Sequence, residues 1–431
     1  MKKYIVGIIL MALCSNYLDA QEFNVGLDIR PRLEYSHGFG NLIPEGVDPG
    51  LFVQQRSRLN LGYAIENFST FFSVQDVSVW GDTPQISPND GNNSFSLAQA
   101  WVRFNFNKNW MIKVGRQVLS YDDQRIFGGL DWAMQGRFHD AALVNYKQNG
   151  FQLDFGLSFN QNGVSRQGTL FDPNNAGDAR AVFDYKSMIY VWANKKWKSF
   201  SGSFLFANNS YQNLAGQTPV EGVVNRQTFG VHLVSKPNNS FKILANLYAQ
   251  TGEFFDNVDL SAYNAMLELN YKPNKTLFGL GFEILSGDDN GATDGEISSF
   301  FPIFGTNHKF NGFMDYFYVG NHANSVGLKD MYAKAVFKTG TKSSLLGKIH
   351  YFMSDKDIGA ENYLGTEVDV VFTQKVMSFA TLKIGYSHLF ASDAMEVLKG
   401  VSNPSSTQNW GWAMLIVKPT LFQKKNNDNK I

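Results

Sequence analysis

The sequence predicts an all-β fold, a transmembrane antiparallel β-barrel of about 18 strands with short periplasmic turns and long extracellular loops. Three observations favour this fold class. Apolar residues recur at a spacing of two through most of the chain. The alternating segments run for about ten to thirteen residues, near the length that a tilted membrane strand needs. The connections between them alternate between short and long.

The amino-terminal residues 1–20 have the layout of a secretory signal peptide. Two lysines precede an apolar run from Tyr4 to Leu13, which is too short to span a bilayer, and Ala20 supplies a small residue for cleavage. Lipidation at Cys14 is an alternative, but the residue before it, Leu13, is not small. We therefore expect the chain to be exported.

The composition argues against several classes of function. Without residues 1–20, which hold two lysines and one aspartate, the 38 basic and 38 acidic side chains become 36 and 37. Nucleic-acid binding needs a basic excess that this balance lacks. Cys14 is the only cysteine, so an exported chain has no disulfide or thiol nucleophile. Since no linker is found, we expect one domain at 21–423 and a polar tail at 424–431.

The period of two defines the individual strands. In residues 23–35 apolar side chains occupy most odd positions and polar side chains the even ones, and 151–160 repeats the pattern. Read in this way, the sequence predicts eighteen strands, at 23–35, 51–65, 68–80, 96–106, 110–119, 137–147, 151–160, 187–197, 200–209, 226–236, 240–252, 260–272, 277–287, 328–339, 344–354, 363–375, 378–390 and 408–418.

The connections divide into two kinds. Short turns such as Glu66-Asn67 and Gln148-Asn149-Gly150 use residues that tolerate positive φ. The longer segments lie near 36–50, 81–95, 120–136, 161–186, 210–225, 288–327 and 391–407, with shorter ones near 253–259 and 355–362. Short turns at one end and long loops at the other are typical of an outer-membrane barrel whose termini are periplasmic.

A secreted soluble β-protein is the alternative fold, because packed sheets also alternate. Strands in soluble sheets are usually shorter, and sandwiches do not require alternating turn lengths. Aromatic residues also cluster near the predicted strand ends, where the interfacial girdles of a membrane barrel lie; among them are Trp101, Trp110, Trp197, Phe200, Tyr271, Phe278 and Trp412. These observations favour the barrel.

The polar face of the strands is expected to line the lumen. A barrel of this size is wide enough for an aqueous channel. Its candidate pore-lining or substrate-binding residues are Arg30, Arg32, Arg56, Arg58, Arg103, Lys113, Arg116, Arg125, Arg137, Glu283, Glu367 and Asp369. An arginine-rich wall concentrates anions through its field, and the later strands add a partly acidic wall. The alternative is that these charges pair internally in a plugged barrel.

The stretch VGRQVLSYDDQRIFGGLDWAMQGRFHDAAL at 114–143 gathers arginines, aspartates and one histidine. Its placement between two predicted strands, with no nucleophile among its charges, indicates a loop rather than a catalytic set. We interpret 120–136 as an outer loop that shapes the extracellular vestibule and presents Arg116, Arg125 and Arg137 to anions.

Several of these segments resemble the alginate export family of outer-membrane porins. The similar blocks are LAQAWVRFNFN at 97–107, VGRQ at 114–117, DDQRIFGGLDW at 122–132, GRFHDAALV at 136–144, GFEILSGDD at 281–289 and LGTEVDVVF at 364–372. The resemblance implies an 18-stranded barrel with an arginine-rich conduit, and for the prototype it implies export of an acidic polyuronate. The near-neutral balance of this chain departs from that prototype.

The sequence therefore predicts an outer-membrane channel for anionic solutes, with export of an alginate-like polysaccharide as one version of that function. The expected partners are outer-membrane lipid, an anionic polysaccharide or small anionic solute, and periplasmic secretion components. A general or uptake porin for small solutes or oligosaccharides is an alternative. A barrel that serves as a platform for loop-mediated binding is another, and 288–327 is then either a lid or a partner contact.

No enzymatic site, metal site or cofactor is expected. None of the seven histidines lies in an H-E-x-x-H or G-x-S-x-G context. The loop SGDDNGATDGE at 286–296 carries four acidic residues that are able to chelate Ca²⁺, but it lacks EF-hand spacing. We interpret it as a solvated external loop.

Overall fold

The computed structural model describes residues 22–83, 95–173, 184–216, 218–255, 257–289, 295–319, 322 and 325–425. Within them the strands form one sheet that closes into an 18-stranded antiparallel barrel. The barrel strands are β1 (Glu22–His37), β2 (Gly50–Ile65), β3 (Phe68–Val79), β4 (Ser96–Asn105), β5 (Trp110–Gln117), β6 (His139–Gln148), β7 (Phe151–Phe159), β8 (Ser187–Lys196), β9 (Phe200–Ala215), β10 (Thr218–Ser235), β11 (Phe241–Phe255), β12 (Val258–Tyr271), β13 (Leu277–Leu285), β15 (Leu328–Lys338), β16 (Ser343–Ile358), β17 (Glu361–Met377), β18 (Ala380–Ala391) and β19 (Gln408–Val417). The predicted fold class is confirmed, and each predicted strand overlaps an observed one.

The first and last strands close the barrel. β1 pairs with β2 on one side and with β19 on the other, where Ile29 lies opposite Val417. Pro419 has no N–H to continue the ladder, so β19 ends and β20 (Thr420–Lys425) resumes the pairing along β1 after a register shift. β20 includes residues 424 and 425, which the sequence had assigned to the polar tail. The predicted signal peptide and residues 426–431 lie outside the described residues.

The barrel has an apolar outer face and a polar inner face. Leu247, Leu267 and Leu280 point outward with exposures of 57%, 57% and 64%. Asn246 lies one position before Leu247 on β11, and Asn264 lies three positions before Leu267 on β12. Both point inward and are 0% exposed. Successive side chains of a strand point to opposite faces, so the period of two in the sequence becomes a lipid-facing surface around a polar interior.

Aromatic rings form exposed pairs on neighbouring strands at the short-turn end. Trp110 and Tyr146 have ring centroids 4.7 Å apart, and Phe241 and Tyr271 are 4.8 Å apart. Trp110 and Tyr271 are 44% and 42% exposed. Rings at this level suit the interface between bilayer and water, as the sequence predicted.

The connections follow the predicted alternation, except that three predicted loops are largely strand. At two of them, 253–259 and 355–362, Phe255 lies opposite Val258 and Ile358 opposite Glu361. The turn between β6 and β7 has positive φ at Asn149 and Gly150, 48° and 75°, as a type I′ hairpin requires. The predicted loop at 210–225 is instead largely the continuation of β9 and β10, which pair as far as Ala215 and Thr218. Asn225 stabilises this extension by accepting hydrogen bonds from Asn208 and Ser210, at 3.0 and 2.7 Å.

The remaining elements lie in the long connections. β14 (Glu296–Ile297) pairs in parallel with the start of β12, and α1 (Asp393–Lys399) lies between β18 and β19. The Ser392 side chain caps α1 at its first turn, and Gly400 ends it with a φ of 65°. In the described part of the chain, no helix is long and apolar enough to span a membrane. The predicted loops at 81–95 and 161–186 fall partly on residues that the structure does not describe.

Candidate functional site in the barrel interior

Two long connections fold into the lumen and pack against each other there. We name residues 118–138, between β5 and β6, the first inner segment, and the described residues between β13 and β15, namely 286–289, 295–319, 322 and 325–327, the second inner segment. The ring of Phe127 stacks on Phe304 at 5.7 Å, and Trp132 stacks on His308 at 4.2 Å. Backbone hydrogen bonds join Gly128 N–H to the Phe304 carbonyl at 2.8 Å, so the two segments form one packed unit.

Two glycines permit this close packing. A Cβ on Gly128 would lie 2.2 Å from the Thr306 hydroxyl oxygen, and one on Gly312 would lie 2.6 Å from a Glu367 carboxylate oxygen. Gly312 also has a φ of 86°, which other residues rarely adopt. Gly128 therefore lets the backbone of the first inner segment contact the second, and Gly312 lets the backbone of the second inner segment contact the barrel wall.

The first inner segment is held by arginines of β1 and β2, which we call the arginine wall. Arg30 donates to the Asp131 carbonyl at 2.7 Å, Arg32 to the Trp132 carbonyl at 3.1 Å and Arg58 to the Gln135 carbonyl at 2.9 Å. Buried Arg56 pairs with Asp28 at 2.6 Å and with Asp131 at 3.0 Å. Four predicted lumen residues thus form one surface, and they bind the backbone of the first inner segment.

Asp131 lies where the arginine wall meets open space. Its side chain is 64% exposed although Arg30 and Arg56 both bind it. Burial raises the pKa of the Asp131 carboxyl, but the charges of Arg30, Arg56 and Lys418 outweigh that effect and bring the pKa below its usual value. Solvent-accessible space therefore reaches the arginine wall beside the first inner segment.

The second inner segment is held by carboxylates of β13, β15 and β17, which we call the acidic wall. It consists of Glu283, Asp330, Glu367 and Asp369, each 1% exposed or less. Asn311 donates to Glu283 at 2.9 Å and to Asp330 at 3.2 Å. The Met314 N–H donates to Glu367 at 2.9 Å. The acidic wall thus lies beneath the second inner segment and away from solvent.

The long-loop end also contacts the second inner segment. Gly40 N–H donates to the Met314 carbonyl at 2.7 Å, and Lys399 of α1 donates to the Tyr316 carbonyl at 2.6 Å. Burial lowers the pKa of the Lys399 ammonium to about 8. These contacts hold the second inner segment from the long connections, while the acidic wall binds it from the strands.

Arg125 requires a correction to the sequence prediction. We expected 120–136 to be an outer loop that presents Arg125 to anions. Instead Arg125 is 1% exposed, pairs with Glu283 at 2.9 Å and lies 4.5 Å from the Phe310 ring. The loop turns inward because partners on β13 and in the second inner segment satisfy its charges, and sequence spacing does not reveal those partners.

The other predicted residues lie toward the two ends of the barrel. At the short-turn end Arg103 is paired in register with Lys113, whose ammonium lies 4.2 Å from the Trp101 ring. At the long-loop rim Arg116 pairs with Asp140 at 2.9 Å, and Arg137 donates to the Gly305 carbonyl at 2.8 Å. Arg116 lies on the same face of β5 as Val114, which points outward, whereas Lys113 lies on the inner face. Arg116 is therefore a rim residue rather than one that lines the middle of the lumen. Arg116 and Arg137 line a rim cavity of about 720 Å³.

The inner segments separate the rim cavity from a larger cavity at the short-turn end. The second cavity has about 1060 Å³ and contains lysines that the sequence prediction missed, among them Lys242, Lys334 and Lys348. These three fall on the polar face of their strands, so the period of two could have identified them. Lys309 of the second inner segment also lines the cavity, and no strand pattern could have placed it there.

No group of three or more His, Cys, Asp or Glu side chains that could hold a metal occurs among the described residues. Asp288 and Asp289 of the candidate calcium loop are described, but residues 290–294 are not. The interpretation of 286–296 as a solvated external loop therefore stays a prediction.

Comparisons with known proteins agree with this architecture. The sequence profile of the family described as alginate export matches residues 21–408. No curated protein matches the chain.

Solved structures of similar fold include Pseudomonas aeruginosa OccK11 (OpdR), with 13% identity and a TM-score of 0.60 over 93% of this chain and 96% of that one. Acinetobacter baumannii OccAB4 has 11% identity and a TM-score of 0.61 over 94% and 99%. Pseudomonas aeruginosa OpdK, solved with vanillate, has 9% identity and a TM-score of 0.57 over 92% and 98%. At these identities the likeness concerns the fold.

Proposed function

The chain belongs to the alginate export family, and on that premise we propose that it conducts small anionic solutes across the outer membrane. Family and fold identify an outer-membrane β-barrel channel and point to a transporter rather than an enzyme. The selectivity for small anions is the part that we infer from the interior.

One observation carries the proposal: three of the predicted lumen cations reach solvent, whereas none of the four acidic-wall carboxylates does. Arg58 and Lys113 are half-buried, and Arg103 is exposed. The four carboxylates of the acidic wall are 1% exposed or less. Among the predicted lumen residues the accessible charges are therefore basic, although Arg30, Arg32 and Arg56 are buried and Asp131 adds one exposed carboxylate beside them. Such a surface raises the local concentration of anions without a single tight site.

The size of the solute follows from the inner segments. They place fully buried side chains in the lumen, including Met314 and Tyr316 at 0% exposure. A polymer would have to displace these segments, whereas a small solute needs only the space beside them. This packing favours small anions over a polysaccharide.

Export of an acidic, alginate-like polysaccharide with periplasmic secretion components is the second candidate, and membership of the family favours it. A general uptake porin is also compatible with the barrel, as is a platform for loop-mediated binding. Vanillate, with which OpdK was solved, is an aromatic carboxylate and a suitable small test solute.

Planar-bilayer recordings in a KCl gradient test the proposal. We expect a reversal potential of anion-selective sign, and a cation-selective current or no current from folded protein would overturn it. Liposome swelling with uronate monomers and oligomers tests the size limit. A steep fall in rate with oligomer length supports small solutes, whereas rates independent of length favour polysaccharide export.

A further inference from the structure

The cavity at the short-turn end, which we call the lysine chamber, is separate from the arginine wall. Its lining includes the turn residues Lys198 and 236–240, so it extends to the periplasmic end of the barrel. The wall is formed by β11, β12, β13, β15 and β16. The second inner segment also lines the chamber, with Lys309, Phe310, Asn311 and Phe313. With about 1060 Å³ it exceeds the volume of most small-molecule sites.

The strand register builds the chamber as one row across five strands. Lys242 lies opposite Asn270, Asn270 opposite Gly279, Gly279 opposite Lys334, and Lys334 opposite Lys348. A Cβ at Gly279 would lie 2.6 Å from Lys334 Cε. The glycine thus lets Lys334 cross β13 and direct its ammonium toward β12.

The chamber has more ammonium groups than carboxylates with which they could form ion pairs. Glu268 already accepts from Lys334 at 2.6 Å, Tyr332 at 2.8 Å and Asn270 at 2.7 Å. Lys309 donates to a neutral acceptor, the Asp123 carbonyl, at 2.6 Å. Among the described residues, the Lys242 ammonium has no ion pair or hydrogen bond.

The lysines also act on one another. Burial lowers the pKa of the Lys309 ammonium; Asp123 and Glu268 oppose this shift, whereas Lys334 and Lys242 add to it. Mutual repulsion of this kind is relieved when an anion binds between the ammonium groups.

Aromatic rings lie beside these cations. The Lys309 ammonium is 5.3 Å from the Phe310 ring centroid. Lys348 lies 4.7 Å from the Tyr332 centroid and 5.6 Å from that of Phe313. The chamber therefore offers positive charge and apolar ring surface within one space, which suits a ligand with both an anionic group and an aromatic body.

We propose that the lysine chamber is a binding site for aryl carboxylates at the periplasmic end of the channel. Lys242 and Lys309 receive the carboxylate, and Phe310 contacts the ring. This inference deepens the proposed function and rests on it, because it names a solute class for the same lumen. Equilibrium binding does not require conduction, so the two proposals can fail separately.

Isothermal titration calorimetry of the full chain in detergent, with benzoate, benzamide, acetate and inorganic phosphate as separate probes, tests the site. We expect benzoate to bind, and its neutral analogue benzamide and the ringless acetate to bind at least about tenfold more weakly. Lys242→Gln/Lys309→Gln should lower benzoate affinity about tenfold or more. Phe310→Leu should reduce the preference for benzoate over acetate.

The matched control is Lys338→Gln/Lys342→Gln, which removes two exposed charges at the same end of the barrel outside the chamber lining. Circular dichroism and heat-shifted gel mobility establish that each variant is folded. Equal benzoate affinity in the chamber variant, the control and the wild type would overturn the site. Phosphate or acetate binding as tight as benzoate would overturn the aryl preference. Benzoate binding without ion current would leave the chamber in place and remove the channel proposal.

Discussion

The arginine wall and the acidic wall are both built from inner-facing strand residues, yet they differ in what covers them. The arginine wall donates to backbone carbonyls of the first inner segment and keeps Arg58 half-buried beside the exposed Asp131. The acidic wall lies beneath the second inner segment, which Glu283, Asp330 and Glu367 bind directly. The sign of a charge on the inner face therefore does not decide its role. Whether an inner segment covers the charge decides whether that charge contacts solutes or stabilises the fold.

We expect the largest effect from removing the ion pair between Arg125 of the first inner segment and Glu283 of the acidic wall. Arg125→Met leaves Glu283 buried without its cation, which costs on the order of 3–5 kcal/mol. We expect a large loss of stability and release of both inner segments. Chemical unfolding and limited proteolysis of the folded barrel measure these effects.

The double variant Arg125→Met/Glu283→Gln is the control, because it removes both charges. We expect it to regain most of the lost stability. A double variant no more stable than Arg125→Met would show that the pair does not hold the segments.

A second variant set sharpens the difference in solvent access. Arg58→Gln/Lys113→Gln removes two accessible cations, so we expect the ratio of anion to cation permeability to fall several-fold. Asp369→Asn removes a charge that is 0% exposed, and we expect little change in selectivity. Reversal potentials in planar bilayers compare the two. Equal shifts from both variants would contradict the proposed division between accessible and covered charge.

The smallest expected effect concerns Asp131. Because its side chain is 64% exposed, the ion pairs with Arg30 and Arg56 are screened, and Asp131→Asn should cost about 1 kcal/mol or less. The pKa of Asp131 is lowered in the folded protein, so its contribution is present above the ordinary value of 3.8 and is lost as the pH falls through the lower folded value.

Hydrogen exchange of the first inner segment measures this loss. We expect faster exchange at 129–135 in Asp131→Asn at neutral pH, and a smaller difference from the wild type in acid. A difference that persists unchanged in acid would assign the effect to packing rather than to charge.

The fold was largely predictable from the sequence. The period of two located each of the eighteen barrel strands, and Asn149-Gly150 identified a hairpin whose positive φ values the structure contains. The misjudged loop at 210–225 shows the limit of this pattern. Its residues alternate imperfectly, and the hydrogen bonds of Asn225 across the hairpin extend the strands.

The candidate site was only partly predictable. The alternation placed Arg30, Arg32, Arg56 and Arg58 on one face, and the structure brings them together. The same alternation places the lysines of the chamber on the inner face, but the predicted set includes only acidic residues from these later strands. No local pattern showed that 118–138 turns inward.

The sequence by itself determined the strands, the turns, the two faces and the class of barrel, because each of these depends on neighbours a few residues apart. The tertiary structure alone decided which charges reach solvent. Arg30 meets Asp131 across a separation of 101 residues, and Arg125 meets Asn311 across 186. Such pairings form only once the closed barrel brings distant strands and both inner segments into one confined space, and there burial sets the effect of every charge.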